Sequence, residues 1–255
     1  MEPFEITTVD SGIRERGIVP ISEEVPLTIT VNGRELATLL CSPEYLRNLV
    51  TGFLFTNGLI RDISSLRSLT VDRDRWNVTV DIEGEGLDEE FVFKRVYTSG
   101  CGKGVIFHNP LDLINRKRLE NDMRVNSTDI TALMKTFQKR SEEHQRTRGV
   151  HSGALATPQE ILIFRDDIGR HNALDKVLGE ALYREVGFPD KILLTSGRIS
   201  SEILSKVLRC QMPLIVAVGA PTNQAVKLAR QANLTLVGRV RGDRMNVYSG
   251  EERIY

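Results

Sequence analysis

The stretch KILLTSGRISSEILSKVLRCQMPLIVAVGA, residues 191–220, alternates between strand-like and helix-like patterns. KILLTS and LIVAVGA are short apolar runs typical of buried strands, whereas residues 200–209 repeat apolar side chains at helical spacing. The alternation extends in both directions, with helices predicted over 172–185 and 223–232 and a strand over LTLVGRV. Strands that alternate with helices predict an α/β fold, in which helices cover a sheet.

The rest of the chain divides into two parts. Residues 1–95 are predicted to be a smaller β-rich part with one helix, and residues 96–255 an α/β core that carries a cysteine-containing loop. In the first part, strands are predicted over residues 28–31, 35–40, 76–82 and 90–97. In the second, they are predicted over HSGALAT and EILIFR, after a helix over 127–144 and a loop over 145–148.

Local signals fix several of these predicted boundaries. Asn32-Gly33 is a strong signal for a two-residue turn between paired strands. Ser42 is a suitable helix cap, followed by Pro43 in the first turn, and Asn57-Gly58 is a typical helix end. Ser127 or its two successors can cap the later helix, since apolar residues recur at helical spacing after them.

Composition limits the classes of function. The chain has 34 basic and 34 acidic side chains, so a whole-molecule field that attracts nucleic acid is not expected. Residues 191–255 nevertheless carry ten basic against four acidic side chains, which suits either an anionic ligand or a solvated basic surface. The N-terminus lacks a secretory pattern, and no apolar run reaches the roughly 18 residues of a membrane span. A soluble, cytoplasmic protein is therefore expected.

One of the three cysteines stands in a reactive setting. Cys101 lies in TSGCGKG, where flanking glycines leave the thiol open and Lys103 favours the thiolate. A reactive nucleophile and an inert loop cysteine are both compatible with this pattern. Cys41 and Cys210 have apolar neighbours and are expected in the core. The four histidines show no paired metal-ligand spacing, so no metal site is predicted.

The stretch RDDIGRHNALDK, residues 165–176, is dense in polar side chains at a predicted strand-to-helix junction. With Asn172 as the helix cap, Asp167, Arg170 and His171 are expected to converge on the loop before it. Such a loop at the carboxyl end of a strand suits a ligand site. A surface cluster of salt bridges is the alternative interpretation.

Three further loops repeat this arrangement. Ser196, Gly197 and Arg198 precede a predicted helix, where free backbone amides favour an anion, and APTNQA follows LIVAVG in the same way. The stretch VRGDRMNVYSG places Arg239, Arg241 and Arg244 around Gly242-Asp243. Because guanidinium groups match phosphate geometry, these loops predict a phosphate-binding edge of the sheet.

Taken together, these segments resemble the FdhD family of formate dehydrogenase accessory sulfurtransferases. The matching stretches are VNGRELATLLCSPEYLRNLVTGFLFTNGLI, TSGCGKG, GVHSGALA, RDDIGRHNALDKVLG, TSGRISSEI and VGAPTNQAVKLARQANLTLVGRVRGDRMNVYSG, of which DIGRHNALDK is the most specific. The resemblance covers nearly the whole chain. It implies a core similar to the cytidine-deaminase fold, a mixed sheet between helices, without the deaminase zinc ligands.

The resemblance also implies a function. Members accept a sulfane sulfur from a cysteine desulfurase and pass it to the molybdenum cofactor, in its bis-molybdopterin guanine dinucleotide form, before formate dehydrogenase receives it. Cys101 matches the persulfide-bearing cysteine, with no metal ligated directly by the protein. The guanine-dinucleotide phosphates are expected at one group of residues, namely Val240, Arg241, Gly242, Asp243, Arg244, Met245, Arg170, His171 and Arg198. A homodimer is compatible with the resemblance.

One position departs from the family pattern. The family shows C-x-x-C in this loop, and here Gly104 stands at the second cysteine. The departure favours an alternative, a non-catalytic chaperone that binds the molybdenum cofactor and hands it on without sulfur chemistry. A deaminase-like hydrolase is disfavoured, because H-x-E and P-C-x-x-C are both missing from the sequence.

Overall fold

The structure is a computed structural model that describes residues 1–83 and 118–255. In the described chain, twelve strands form three sheets. The strands are β1 (Glu2–Asp10), β2 (Ile13–Ile21), β3 (Val25–Val31), β4 (Arg34–Cys41), β5 (Leu66–Asp72), β6 (Asn77–Ile82), β7 (His151–Ala156), β8 (Ile161–Asp167), β9 (Ile192–Thr195), β10 (Leu214–Ala217), β11 (Thr235–Arg241) and β12 (Arg244–Ser249). The helices are α1 (Leu46–Thr56), α2 (Ser127–Arg140), α3 (Glu142–Thr147), α4 (Arg170–Tyr183), α5 (Ser201–Arg209) and α6 (Asn223–Ala232).

The largest sheet has six strands in the order β12-β11-β10-β9-β7-β8. Strands β9, β10 and β11 are parallel, β7 is antiparallel to β9 and β8, and β12 is antiparallel to β11. Alternate residues face opposite sides, so Leu194 and Val216 pack with α2 while Leu193 and Ile215 face the core formed with α1, α4, α5 and α6. The predicted α/β fold, a mixed sheet flanked by helices, is confirmed.

A four-stranded sheet, ordered β4-β3-β6-β5, shares the larger core. The predicted turn between β3 and β4 is confirmed, because both Asn32 (φ 47°) and Gly33 (φ 76°) have left-handed backbone. Strand β5 was not predicted. The predicted strand over 90–97 and the boundary near residue 95 lie outside the described residues.

Helices α1 and α4 cross with their backbones in contact. A Cβ added at Gly52 would lie 1.9 Å from the carbonyl oxygen of Asp175, and one added at Gly179 would lie 1.9 Å from that of Asn48. Real Cβ atoms do not approach so closely, so only glycine fits at either position. This close crossing fixes the start of α4 relative to the β4–α1 connection.

Residues 2–21 form a two-stranded ribbon, β1 paired with β2, which the sequence pattern did not reveal. Nearly all of its side chains are exposed. Its base is held to α3, where the hydroxyls of Ser22 and Thr147 lie 2.8 Å apart.

Three predicted helix boundaries were wrong because side chains bond elsewhere. Helix α1 starts at Leu46 rather than after Ser42, and the Ser42 hydroxyl accepts a hydrogen bond from the Ile168 amide instead (3.1 Å). The predicted helix 127–144 breaks at Ser141, which caps α3, so α3 covers most of the predicted loop 145–148. Helix α2 is capped by Asn126, and Gly169 rather than Asn172 precedes α4.

Strand β8 forms one edge of the six-stranded sheet, and basic side chains occupy its alternate carbonyl oxygens. Arg184 donates to Leu162 O (3.1 Å), and Lys176 donates to Asp166 O (3.4 Å). Between them, Arg165 donates to the carbonyl oxygen of its neighbour Phe164 (2.6 Å). Among the described residues, no helix is long and apolar enough to span a membrane.

Candidate functional site

The predicted ligand-binding loops lie along one edge of the six-stranded sheet. Because β9, β10 and β11 run parallel and β7 runs opposite to β9, their loops and the start of β7 meet at the same edge. Strand β8 also ends there, since His151 at the start of β7 pairs with Asp167 at the end of β8. The edge thus brings together the segments after β8, β9, β10 and β11.

Asp167 anchors the loop that follows β8. Its side chain is fully buried, and Oδ2 lies 2.6 Å from Nζ of the equally buried Lys176. Oδ2 also accepts from the Ser42 amide (3.1 Å), while Oδ1 accepts from the Gly169 amide (2.8 Å) and from Asn172 Nδ2 (3.0 Å). With both oxygens occupied, Asp167 serves as a structural anchor, unlike the converging ligand residue that the sequence suggested.

The same pair joins two parts of the chain that are distant in sequence. Lys176 Nζ donates to the Ser42 carbonyl (3.1 Å), and Asn172 donates to the Leu40 carbonyl (2.8 Å). Together with the Ser42 contacts, these bonds attach the β4–α1 connection to the first turn of α4. We call the group of Ser42, Asp167, Asn172 and Lys176 the buried lock.

His171 and Glu202 form a second pair, on the first turns of α4 and α5. Nε2 of His171 lies 3.1 Å from Oε2 of Glu202, and the side chains are 22% and 13% exposed. Burial lowers the pKa of His171, against the opposing influence of Glu202. Burial alone would raise the pKa of Glu202, but the contact with His171 and the nearby Arg170 and Lys206 outweigh it and lower that pKa. His171 is therefore neutral at pH 7, and Glu202 is ionised.

A second histidine borders the same edge. Nδ1 of His151 lies 3.3 Å from the Ser196 hydroxyl, which also accepts a hydrogen bond from the Ser152 amide (2.9 Å). Burial lowers the pKa of His151, and the positive charge of Arg170 lowers it further. The edge thus holds two imidazoles that are neutral at pH 7 and able to accept protons.

Glycines bring the strand-end loops into backbone contact. A Cβ at Gly197 would lie 3.0 Å from the Arg170 side chain, and one at Gly219 would lie 2.4 Å from the Gly197 carbonyl oxygen. The next loop is joined by the Arg239 amide, which donates to the Gly219 carbonyl (3.0 Å). Arg170 therefore packs against the loop that carries the exposed Arg198, as the ligand-site prediction requires.

The segment 240–245 is a β-hairpin, with Arg241 paired to Arg244 across Gly242-Asp243. Val240 is 1% exposed and packs in the core beside α2, so its side chain cannot contact a ligand. Met245 is half-buried against the same core. Asp243 pairs with Lys135 of α2 (2.6 Å), whereas Arg241 and Arg244 are exposed at the tip.

The cysteines separate into two groups. Cys41 and Cys210 are buried, as predicted. Burial raises the pKa of Cys41 to about 12, with a further contribution from Asp167. Burial likewise raises the pKa of Cys210, so neither thiol ionises near pH 7. Cys101, Lys103 and their loop, expected to be mobile and exposed, lie outside the described residues.

Sequence patterns did not identify several residues of this edge. His151, Ser196 as its partner, Glu202 and Lys176 belong to it, and each gains its role from a contact between distant segments. The one available signal was Glu202 in the first turn after TSGRIS. Within residues 1–83 and 118–255, no three His, Cys, Asp or Glu side chains cluster so as to hold a metal ion.

The comparisons with known proteins agree with this architecture. Residues 22–255 match the FdhD/NarQ family. The chain is 42% identical over 235 residues to a sulfur carrier protein FdhD of Geobacillus kaustophilus, covering 92% of this chain and 89% of the relative. It is 40% identical over 232 residues to the sulfur carrier protein FdhD of Bacillus subtilis, covering 91% and 88%.

A solved structure is also similar. It is the crystal structure of a protein from Desulfotalea psychrophila described as a formate dehydrogenase accessory protein. The TM-score is 0.81 at 24% sequence identity, covering 100% of this chain and 99% of the other. At this identity the likeness concerns the fold alone.

Proposed function

The chain belongs to the FdhD/NarQ family, and from that premise we propose that it is a sulfurtransferase of formate dehydrogenase maturation. It accepts sulfur from a cysteine desulfurase as a persulfide on Cys101. It then passes the sulfur to the molybdenum cofactor, as bis-molybdopterin guanine dinucleotide, before the cofactor enters formate dehydrogenase. The cofactor is a bound substrate in this scheme.

The observation that carries the proposal is the burial of the other two thiols. A sulfur carrier needs a thiolate that a partner protein can reach. Cys41 and Cys210 are buried, and their pKa values are raised far above neutral pH. Of the three cysteines in the sequence, Cys101 is the one that this argument does not exclude, and its neighbour Lys103 favours the thiolate.

Loading requires no external oxidant or reductant. The Cys101 thiolate attacks the terminal sulfur of a persulfide on the desulfurase. A new S–S bond forms on Cys101, and the S–S bond on the desulfurase breaks, so that the desulfurase cysteine leaves as a thiolate. The sulfane sulfur keeps its oxidation state during this exchange.

Release of the sulfur as sulfide requires two electrons, and Gly104 affects their source. In C-x-x-C relatives a second loop thiol could supply them, whereas here Gly104 stands at that position. The burial of Cys41 and Cys210 argues against both as resolving thiols. We therefore propose that an external thiol attacks Cys101, forms a mixed disulfide and supplies the electrons.

The dinucleotide phosphates are proposed to bind along the edge of the six-stranded sheet. Arg170, His171 and Arg198 would contact them at one end, and the hairpin 240–245 at the other. The exposed guanidinium groups of Arg241 and Arg244 support this assignment, as does the packing of Arg170 against Gly197. The side chain of Val240 takes no part, because it is buried.

Sulfur loading tests the role of Cys101. Purified protein is incubated with a cysteine desulfurase and labelled cysteine, and the intact mass is measured with and without reduction. We expect one reducible sulfur on the wild type and on a Cys41→Ala/Cys210→Ala variant, but none on Cys101→Ala. Equal loading of Cys101→Ala would exclude Cys101 as the carrier.

The alternative function is a chaperone that binds the molybdenum cofactor without sulfur chemistry. The presence of Gly104 favours it. Formate dehydrogenase activity in cells that carry only the Cys101→Ala protein separates the two functions. A sulfurtransferase loses this activity, whereas a chaperone retains it.

A further inference from the structure

The ribbon formed by β1 and β2 is an unusual feature for a folded protein. Its two strands pair with each other, in a sheet of their own, and nearly all of their side chains are exposed. A two-stranded ribbon without a packed face is marginally stable in water. A ribbon of nine-residue strands therefore requires a partner surface that is present whenever the protein is folded.

The ribbon also carries most of the exposed apolar surface. Ten large hydrophobic side chains are exposed in the described residues, and six of them belong to residues 1–21: Met1, Phe4, Val9, Ile13, Ile18 and Ile21. Contiguous exposed apolar side chains of this kind mark interaction sites rather than ordinary surface. The family match begins at residue 22, so the ribbon lies outside the region shared across the family.

The strand register assigns these side chains to two faces. We call one the outer face; it consists of four cross-strand pairs, Pro3/Pro20, Glu5/Ile18, Thr7/Arg16 and Val9/Arg14. On this face Ile18 is 75% exposed and Val9 is 60% exposed. The opposite face holds Ile6 and Val19, which are half-buried. The outer face is thus the one that remains to be covered.

Charge is ordered along the outer face. Glu5 lies near the base of the ribbon, and Arg14 and Arg16 lie toward its tip. If two outer faces pack with opposite directions, the pair Thr7/Arg16 of one faces Glu5/Ile18 of the other. Two equivalent Arg16–Glu5 contacts then form, and each Val9 covers the prolines at the base of the other ribbon.

We propose that the outer face binds the same face of a second copy of this chain, about a two-fold axis between the pairs Glu5/Ile18 and Thr7/Arg16. A two-fold interface requires one surface to carry both complementary halves, and the outer face does so in charge and in apolar content. A second copy is also the partner that is always present with the folded chain. The inference concerns assembly and does not depend on the proposed sulfur transfer.

Charge reversal in the full-length protein tests this arrangement, with the oligomeric state measured by sedimentation velocity over a concentration series. Wild type is expected to be a dimer. Glu5→Arg or Arg16→Glu places like charges together twice, and we expect the dissociation constant to rise by about tenfold or more. The double variant Glu5→Arg/Arg16→Glu restores opposite charges, and its dissociation constant should return close to that of wild type.

Glu15→Arg is the matched control, because Glu15 lies between the two arginines in sequence but pairs with Thr8 on the opposite face. It should leave the dimer unchanged. A monomeric wild type overturns the proposal and leaves a different protein as the partner of the ribbon. A dimer that both single reversals leave intact also overturns it, as does a double variant that dissociates like the singles.

Discussion

Removing the cation of the buried lock should destabilise the protein far more than removing the cation of an equally short surface pair. Lys176 Nζ and Asp167 Oδ2 lie 2.6 Å apart with both side chains fully buried. Lys135 Nζ and Asp243 Oδ1 also lie 2.6 Å apart, but their side chains are 53% and 86% exposed. The two pairs therefore differ in burial and not in distance.

The expected magnitudes follow from that difference. Lys176→Met leaves Asp167 as an uncompensated buried charge, which costs about 3–5 kcal/mol of unfolding free energy. Lys135→Met removes a solvent-screened pair, for which about 0–1 kcal/mol is expected. In a chain of this size, about 3–5 kcal/mol lowers the melting temperature by roughly 6–20 °C.

Urea denaturation followed by circular dichroism measures both costs. A further variant, Asp167→Asn/Lys176→Met, removes the buried charge while it keeps an oxygen that can accept from Gly169. It should be less destabilised than Lys176→Met alone. The reasoning is refuted if Lys176→Met costs no more than Lys135→Met, or if the double variant is the less stable of the two.

Three further predictions concern the edge of the sheet and the crossing of α1 with α4. Replacing Arg241 and Arg244 by Ala should weaken guanine-dinucleotide binding by about tenfold or more in calorimetry, with partial recovery by Lys, because about 1.4 kcal/mol suffices; an unchanged constant excludes the hairpin. The pKa of His171 is lowered in the folded state, so the unfolded state binds more protons, and stability should fall as pH drops below about 6.5. His171→Asn should flatten that pH dependence in urea titrations, and an unchanged slope would contradict the assignment. Gly52→Ala should cost about 1–3 kcal/mol or more, because its Cβ meets backbone at 1.9 Å, whereas Gly187→Ala, with open space around it, should not destabilise the protein.

The sequence predicted those elements whose cause is local. Asn32-Gly33 determines a tight turn through its own backbone preferences, and the apolar runs of β9 and β10 are long enough to identify buried strands. The approximate grouping of Arg170, Arg198 and the 240–245 hairpin also followed, because loops after parallel strands must lie on the same edge.

The wrong helix boundaries have a tertiary cause. Ser42 has the properties of a helix cap, but its hydroxyl and amide bond to Ile168 and Asp167, some 125 residues away. Ser141 interrupts a continuous helical pattern because its hydroxyl accepts from His144 and donates to Asp166. In each case a distant partner competes with the local helix, and local spacing cannot reveal it.

The ionisable residues of the site show the same limit. Lys176 follows Asp175 in sequence and resembles a surface charge, yet both are buried and face different neighbours, Asp167 for Lys176 and Lys206 for Asp175. His171 and Glu202 belong to different helices, and only the fold brings them together. Sequence spacing therefore located the loops of the site but not the pairs that set their protonation.

The basic side chains along β8 determine which route to self-association remains open. An edge strand with free carbonyl oxygens can recruit another strand and extend the sheet from molecule to molecule, the first step of fibrous aggregation. The carbonyls of Leu162, Phe164 and Asp166 are already engaged by Arg184, Arg165 and Lys176. A strand arriving from another molecule would have to displace three cations, one of them buried, before it gained a hydrogen bond. This edge therefore resists open-ended growth even when the protein is crowded during synthesis, and association is confined to surfaces that close on themselves.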